Sequence, residues 1–147
     1  MGLKIPENFS PEERGKLAED YFRKGYNCCQ AVACAYCEEL GMKEQDVFKM
    51  TEGFGSGMGG LKDTCGAVTG MFLTLSLANS AGDMENPKLT KADTYRKFRE
   101  AAAKFTEEMG SIYCRDLLTE KGQQPLPCCI RCVECAAEIV DEYLKER

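Results

Sequence analysis

The stretch Thr64-Cys65-Gly66-Ala67-Val68-Thr69-Gly70-Met71-Phe72-Leu73-Thr74-Leu75-Ser76-Leu77-Ala78-Asn79-Ser80-Ala81-Gly82 runs 19 residues without a charged side chain. Read as a membrane span it is too polar, because Thr64, Thr69, Thr74, Ser76, Asn79, Ser80 and three glycines interrupt the apolar run, and each such group disfavours insertion. Read as a surface helix it has no charged face to turn toward water. The consistent reading is a helix over about 65–80, started by Asp63 or Thr64 and buried on all sides in a helical bundle. Gly66 and Gly70 are four apart and share one face of it. Each weakens a helix by roughly 1 kcal/mol against Ala, so their use there implies that another helix or a cofactor approaches the backbone.

The flanking sequence reads as further helices. Ser10-Pro11-Glu12-Glu13 is a capping box with proline at the first helical position. It opens a helix over about 11–24, with Leu17, Ala18, Tyr21 and Phe22 inward and Gly25 as its stop. Asn27 caps a helix over 28–40, ended by Gly41, and a short helix over 44–52 carries Val47, Phe48 and Met50. Gly53-Phe54-Gly55-Ser56-Gly57-Met58-Gly59-Gly60 then places five glycines in eight residues. Beyond the central helix, 82–89 reads as a loop, and Thr90 caps a helix over 91–109 with Tyr95, Phe98, Ala102, Phe105 and Met109 spaced three and four apart. A short helix over 111–118, a loop at 123–127 and a last helix over 128–145 complete the chain. No segment alternates with period two. The fold expected is all-α, one compact bundle of five or six helices over residues 1–147.

Composition bounds the chemistry. The 147 residues contain ten cysteines and no histidine or tryptophan. A chain of this length buries roughly 70% of its unfolded surface, so it needs no disulfide or metal staple to fold. Without histidine there is no Ser-His-Asp or Cys-His catalysis within the chain, no His-ligated zinc and no Rieske centre. A Cys-x2-Cys-His haem attachment is absent as well. Proton chemistry falls to Cys, Asp, Glu, Lys or Tyr, and a soft-metal site to thiolates. The net charge of −5 and pI near 4.9 argue against a nucleic-acid partner, which calls for a basic face. Residues 1–10 show no apolar signal core, so the compartment expected is the cytoplasm, where clustered thiols more often serve metal binding or redox work than structural disulfides.

Within the glycine-rich segment, Gly55-x-Gly57-x-x-Gly60 matches a dinucleotide fingerprint as a string, but no strand precedes it and no βαβ unit follows. No nicotinamide or flavin site is expected. The backbone N–H groups of Gly55, Gly57, Gly59, Gly60 and Gly66 can still lie near an anion, a thiolate or a sulfide. Cys65, in the first turn of the central helix, gains thiolate character from the helix macrodipole; its bland alternative is a buried cysteine in a glycine seam. On the second helix, at about 100° per residue, Cys28 shares a face with Ala31, Val32 and Ala35, whereas Cys34 and Cys37 point the other way. On the last helix Cys129 lies with Val133, Ala136, Val140 and Tyr143, Cys132 falls toward the edge of that face, and Cys135 drifts off it. Cys129-x2-Cys132 is the spacing of a dithiol pair; Cys129-x2-Cys132-x2-Cys135 also matches part of an iron–sulfur ligand run. Cys114 is followed by Arg115, which can stabilise a thiolate.

Several of these strings occur together and in order: Gly25-Tyr26-Asn27-Cys28, the run from Gly53 to Gly60, Cys65-Gly66-Ala67-Val68-Thr69-Gly70, Gly110-Ser111 through Cys114-Arg115-Asp116-Leu117-Leu118, and a cysteine shortly before Val133 and Ala136-Ala137-Glu138-Ile139. In this the chain resembles, over about 20–145, the C_GCAxxG_C_C family, small proteins described as redox-active and named for a four-cysteine pattern. The label writes Gly before Cys, whereas this chain reads Cys-Gly-Ala-x-x-Gly. The resemblance implies Cys28, Cys65, Cys114 and Cys129 as the family cysteines, with Cys128 and Cys132 close to the last. Related domains resemble the front part of some multihaem cytochromes, which implies an electron-transfer partner of unknown identity. Three functions follow as expectations. The first is a four-cysteine site holding a [2Fe–2S] centre or another Cys-ligated metal. The second is a metal-free thiol–disulfide protein. The third is a helical accessory domain whose cysteines are small core residues. A second metal set from Cys34, Cys37, Cys132 and Cys135, a role for Cys29 and Cys128, and a homodimer through the 91–109 face are left open.

Overall fold

The computed structural model describes residues 10–120 and 125–146, with side chains outside 118–128. The elements are helices: α1 (Pro11–Arg23), α2 (Cys28–Cys34), α3 (Glu44–Thr51), a 3-10 turn at Glu52–Phe54, the four-residue turn α4 (Gly55–Met58), α5 (Gly66–Asn79), α6 (Lys91–Met109), α7 (Cys114–Glu120) and α8 (Pro125–Glu146). Among the described residues the only β-type pairing is one antiparallel bridge between Thr64 and Tyr113. The all-α expectation holds.

Local sequence explains most of the boundaries. The Ser10 hydroxyl accepts from the Glu13 N–H while the Glu13 carboxylate accepts from the Ser10 N–H, a complete capping box. Asn27 and Gln30 make the same reciprocal pair at the start of α2. Gly25 and Gly110 end α1 and α6 with φ of +114° and +99°, a conformation that favours glycine.

The structure corrects several boundaries. α2 stops at Cys34, not near residue 40, because 35–41 tightens into turns in which the N–H groups of Ala35 and Tyr36 donate to Val32 and Ala33. The freed Ala35 carbonyl accepts from the buried Arg14 guanidinium at 2.6 Å. The short helix expected at 111–118 begins at Cys114, after the Thr64–Tyr113 bridge. α8 begins at Pro125, inside the expected loop, since proline fits a first helical turn; residues 123 and 124 lie outside the described residues. Cys65, not Asp63 or Thr64, is the residue that precedes α5 as its N-cap. Thr90 precedes α6 as expected, but its hydroxyl accepts from the Ala81 N–H instead of capping the helix.

α5 packs against α2, α6 and α8, and α8 also packs along α1. The core draws Ala18, Val32, Tyr36, Val68, Met71, Leu75, Phe105, Val133 and Val140 into one cluster; each large apolar side chain so buried contributes about 1.5–3 kcal/mol. On α6 the inward positions are Thr94, Ala101 and Phe105, with Phe98 stacked on Phe72 of α5 at 4.3 Å; Tyr95 is 57% exposed. Most of the 91–109 face therefore packs internally. α5 is not buried on all sides. Leu73 and Leu77 are 39% and 46% exposed, because α2, α6 and α8 cover three sides of the helix and the fourth faces a shallow apolar groove lined by Met42, Val47 and Met50. No helix among the described residues is long and apolar enough to cross a membrane.

Candidate active site

Four chain segments meet at the N-terminal ends of α2 and α5. The glycines of α5 make this approach possible. A Cβ on Gly66 would lie 3.0 Å from the Cys28 Cβ and 3.0 Å from the Phe54 carbonyl oxygen; one on Gly70 would lie 2.8 Å from the Cys29 carbonyl oxygen. What the glycine face admits is helix α2, and it brings Cys28 beside Cys65.

The glycine-rich segment closes the site from the other side. Ser56 and Gly57 adopt left-handed backbone (φ 53° and 68°), and Met58 and Lys62 follow at 72° and 60°. Three non-glycine residues in that region within seven positions mark a segment held by its surroundings. The N–H of Asp63 donates to the Gly57 carbonyl at 2.9 Å, and a Cβ on Gly57 would meet the Asp63 nitrogen at 2.6 Å and the Cys114 Cβ at 2.7 Å. Residues 62–65 then run antiparallel to 112–115: Cys65 N–H donates to Ile112, Cys114 N–H to Asp63 and Arg115 N–H to Lys62. That short ribbon sets Cys114 across from the start of α5.

The result is a pocket of about 230 Å³ lined by Cys28, Cys65, Cys114, Cys129 and Cys132, with Lys62, Ser56, Gly57 and Gly66 among its other walls. No disulfide joins any of the nine cysteines with described side chains; Cys128 lies outside those side chains. The cysteines that the resemblance implies thus line one cavity. Cys132, expected at the edge of its helix face, is only 2% exposed and joins them. α8 is covered by both α1 and α5, so its buried face is broader than one stripe. Cys129, in contrast, is half-buried.

The thiols differ in character. Cys28 donates to Cys129, and this bond, together with the nearby Lys62 ammonium, brings the Cys129 thiol down to about 7 against the opposing effect of burial. The same bond and burial push the Cys28 thiol well up. Cys65 is lowered by a hydrogen bond with Cys132 and by the backbone N–H groups of Val68 and Ala67 at the start of α5, again against burial. The dipolar effect expected for Cys65 is present, from the first turn's N–H groups.

The remaining candidates lie elsewhere. Gly55 is buried against Asn27, while Gly59 and Gly60 are exposed and do not line the pocket. Cys34 and Cys37 join Ala33 and Val47 in a small separate cluster with Tyr21, Tyr26 and Phe48 packed on it. Burial pushes the Cys34 thiol up to about 12. Cys135 faces an acidic groove with Glu134 and Glu138 and is likewise raised by burial to about 12. Cys29, raised by burial to about 11, is fully buried beside Thr69. Cys34, Cys37, Cys132 and Cys135 therefore do not form one set. Lys62 was not legible as a site residue; only the left-handed turn that folds it back over Cys129 reveals it.

An all-helical bundle that gathers five thiols in one pocket, two of them biased toward thiolate, defines a cysteine-rich helical domain with the make-up of a thiol site. The chain belongs to the C_GCAxxG_C_C family: the family model described as "Putative redox-active protein (C_GCAxxG_C_C)" matches residues 26–143. No curated protein and no solved structure matches the chain.

Proposed function

We propose that the protein is a thiol–disulfide redox protein in which Cys129 is the attacking thiolate and Cys28 resolves the intermediate. The observation that carries this reading is that buried Cys28 and half-buried Cys129 line one pocket beside Lys62, with the Cys129 thiol lowered by Cys28 and Lys62. A nucleophile with a pKa near ambient pH and a protonated thiol in contact with it are what dithiol exchange requires. The Cys129 thiolate attacks one sulfur of a substrate disulfide, forming a mixed disulfide and releasing the first thiolate. Cys28 then attacks the Cys129 sulfur and releases the second, its proton leaving with a substrate thiol. The substrate gains two electrons and the Cys28–Cys129 pair loses two.

An aromatic disulfide reports both steps by its coloured leaving thiolate. The full chain is expected to release two equivalents in its fast phase, and Cys28→Ser one, with the second retained on the peptide that carries Cys129. A Cys28→Ser variant that releases two as fast as the parent contradicts the assignment.

A second reading is favoured by the convergence of sulfur itself. Cys28, Cys65, Cys114 and Cys129 offer an all-thiolate donor set of the kind a [2Fe–2S] centre or a single soft metal takes, and when bound such a centre supplies one-electron transfer. Among the described residues no group of three or more candidate ligands is arranged to hold a metal ion, and the hydrogen bonds between sulfurs join Cys28 to Cys129 and Cys65 to Cys132, which favours the dithiol reading. Iron and sulfide analysis of anaerobically purified protein separates the two readings. Stoichiometric iron with a brown colour selects the second; thiol exchange by colourless protein selects the first.

A further inference from the structure

The dithiol reading uses two of the five pocket thiols. Of the others, Cys65 and Cys132 are the more deeply set, 6% and 2% exposed, and they face each other from the start of α5 and from α8. They are not isolated from the first pair. Cys132 lies one helical turn beyond Cys129 on α8, and Cys65 lies beside Cys28 because Gly66 lets α2 within contact distance. Four sulfurs thus form two facing pairs along one cavity, one at its half-buried mouth and one at its floor.

We infer that Cys65 and Cys132 form a second dithiol couple that exchanges electrons with the solvent side through Cys28 and Cys129, so that the reduced pocket holds four electrons, given up in two steps as two disulfides form. This rests on the dithiol reading above. The transfer balances within the chain. Cys65 thiolate attacks the Cys28–Cys129 disulfide, Cys132 attacks the resulting mixed disulfide at Cys65, and the products are a Cys65–Cys132 disulfide, one thiol and one thiolate on the first pair. The proton of Cys132 passes to that thiol. The oxidant is the low-molecular-weight or protein disulfide that oxidised the first pair, and a second equivalent of it re-oxidises Cys28 and Cys129 after the transfer. Cys114, half-buried on the ribbon, takes no part in either couple.

The chain lends itself to a direct test, because tryptic cleavage after Arg131 separates Cys129 from Cys132. Full-length reduced protein is oxidised with graded glutathione disulfide, blocked with N-ethylmaleimide, digested and mapped. The expected result at full oxidation is two cross-links in the same chains, peptide 25–43 to 122–131 and peptide 63–88 to 132–145, with fragmentation assigning Cys28–Cys129 and Cys65–Cys132. Cys132→Ser is expected to lose the second link and keep the first. Cys28→Ser is expected to slow the second at least tenfold. If the first link forms and Cys65 instead joins peptide 25–43 or 105–115, or stays a thiol, the second couple is overturned while the dithiol reading stands. If Cys28→Ser leaves the rate of the second link unchanged, the relay is overturned. If neither link forms, the dithiol reading itself falls.

Discussion

The chemistry of the site turns on Cys129. Its thiol is brought to about 7 by the hydrogen bond from Cys28 and by the Lys62 charge, overcoming the burial that would raise it. Alkylation of Cys129 by iodoacetamide should therefore follow a thiolate fraction with a midpoint near pH 7, below the value of about 8.5 for a free cysteine. Lys62→Gln is expected to raise that midpoint and Cys28→Ala to raise it further, since the hydrogen bond is the larger cause; site-resolved mass spectrometry across pH 5–10 measures it. A midpoint unmoved by both variants would remove Lys62 and Cys28 from the account. Linkage gives the same residue a thermodynamic signature. Because folding lowers this pKa from its ordinary value, the stabilisation is complete above that value and is lost as pH falls through about 7. Helical phase made the inward placement of Cys28 legible in the sequence, and its position at a helix start made Cys65 so. Cys132 and Lys62 were less so, because their roles depend on what covers α8 and on a left-handed turn, neither of which has a periodic trace.

At the scale of elements, the segment from Gly53 to Gly60 behaves as a shaped wall, and its glycines are not equivalent. Gly57 combines a φ of +68° with backbone and Cys114 within 2.7 Å of where a Cβ would sit, whereas Gly60 has a φ of +90° but open space around it. Gly60→Ala should cost only the left-handed penalty, about 1–2 kcal/mol. Gly57→Ala adds overpacking of about 1–3 kcal/mol and displaces the ribbon that holds Cys114. Thermal unfolding of the two variants is expected to show the larger loss for Gly57→Ala, with Cys114 alkylation accelerated in that variant alone; equal losses would contradict the wall. The sequence carried the glycine cluster but not its partners, since Asp63 and Cys114 meet it through tertiary contacts. Caps placed the starts of α1 and α2 to the residue, and the Gly25 stop placed the end of α1 within one. The end of α2 was missed because the turns after Cys34 are imposed from outside, by Arg14 reaching the Ala35 carbonyl.

At the scale of the whole molecule, α8 ties the site to the bundle. Its first half supplies Cys129 and Cys132, and its second half anchors to α1 and to the turns after α2. There the Tyr36 hydroxyl donates to the Ala137 carbonyl at 2.6 Å, and Arg14 of α1, which pairs with Glu39, lies 3.9 Å from the fully buried Asp141 of α8. An all-α bundle was legible from periodicity and from the uncharged stretch over 64–82. That one side of α5 is left open at Leu73 and Leu77 was not, because a run without charges records only what the helix lacks and not which neighbours cover it. The central claim, that Cys28 and Cys129 act as one two-electron couple, is tested most directly by equilibrating the full chain against glutathione redox buffers and following free Cys28 and Cys129 separately. The expected result is one shared transition with a slope of about 30 mV per tenfold change, replaced for Cys129 in Cys28→Ser by accumulation of a glutathione mixed disulfide. Independent transitions for the two thiols, or an unchanged Cys129 transition in Cys28→Ser, would contradict it.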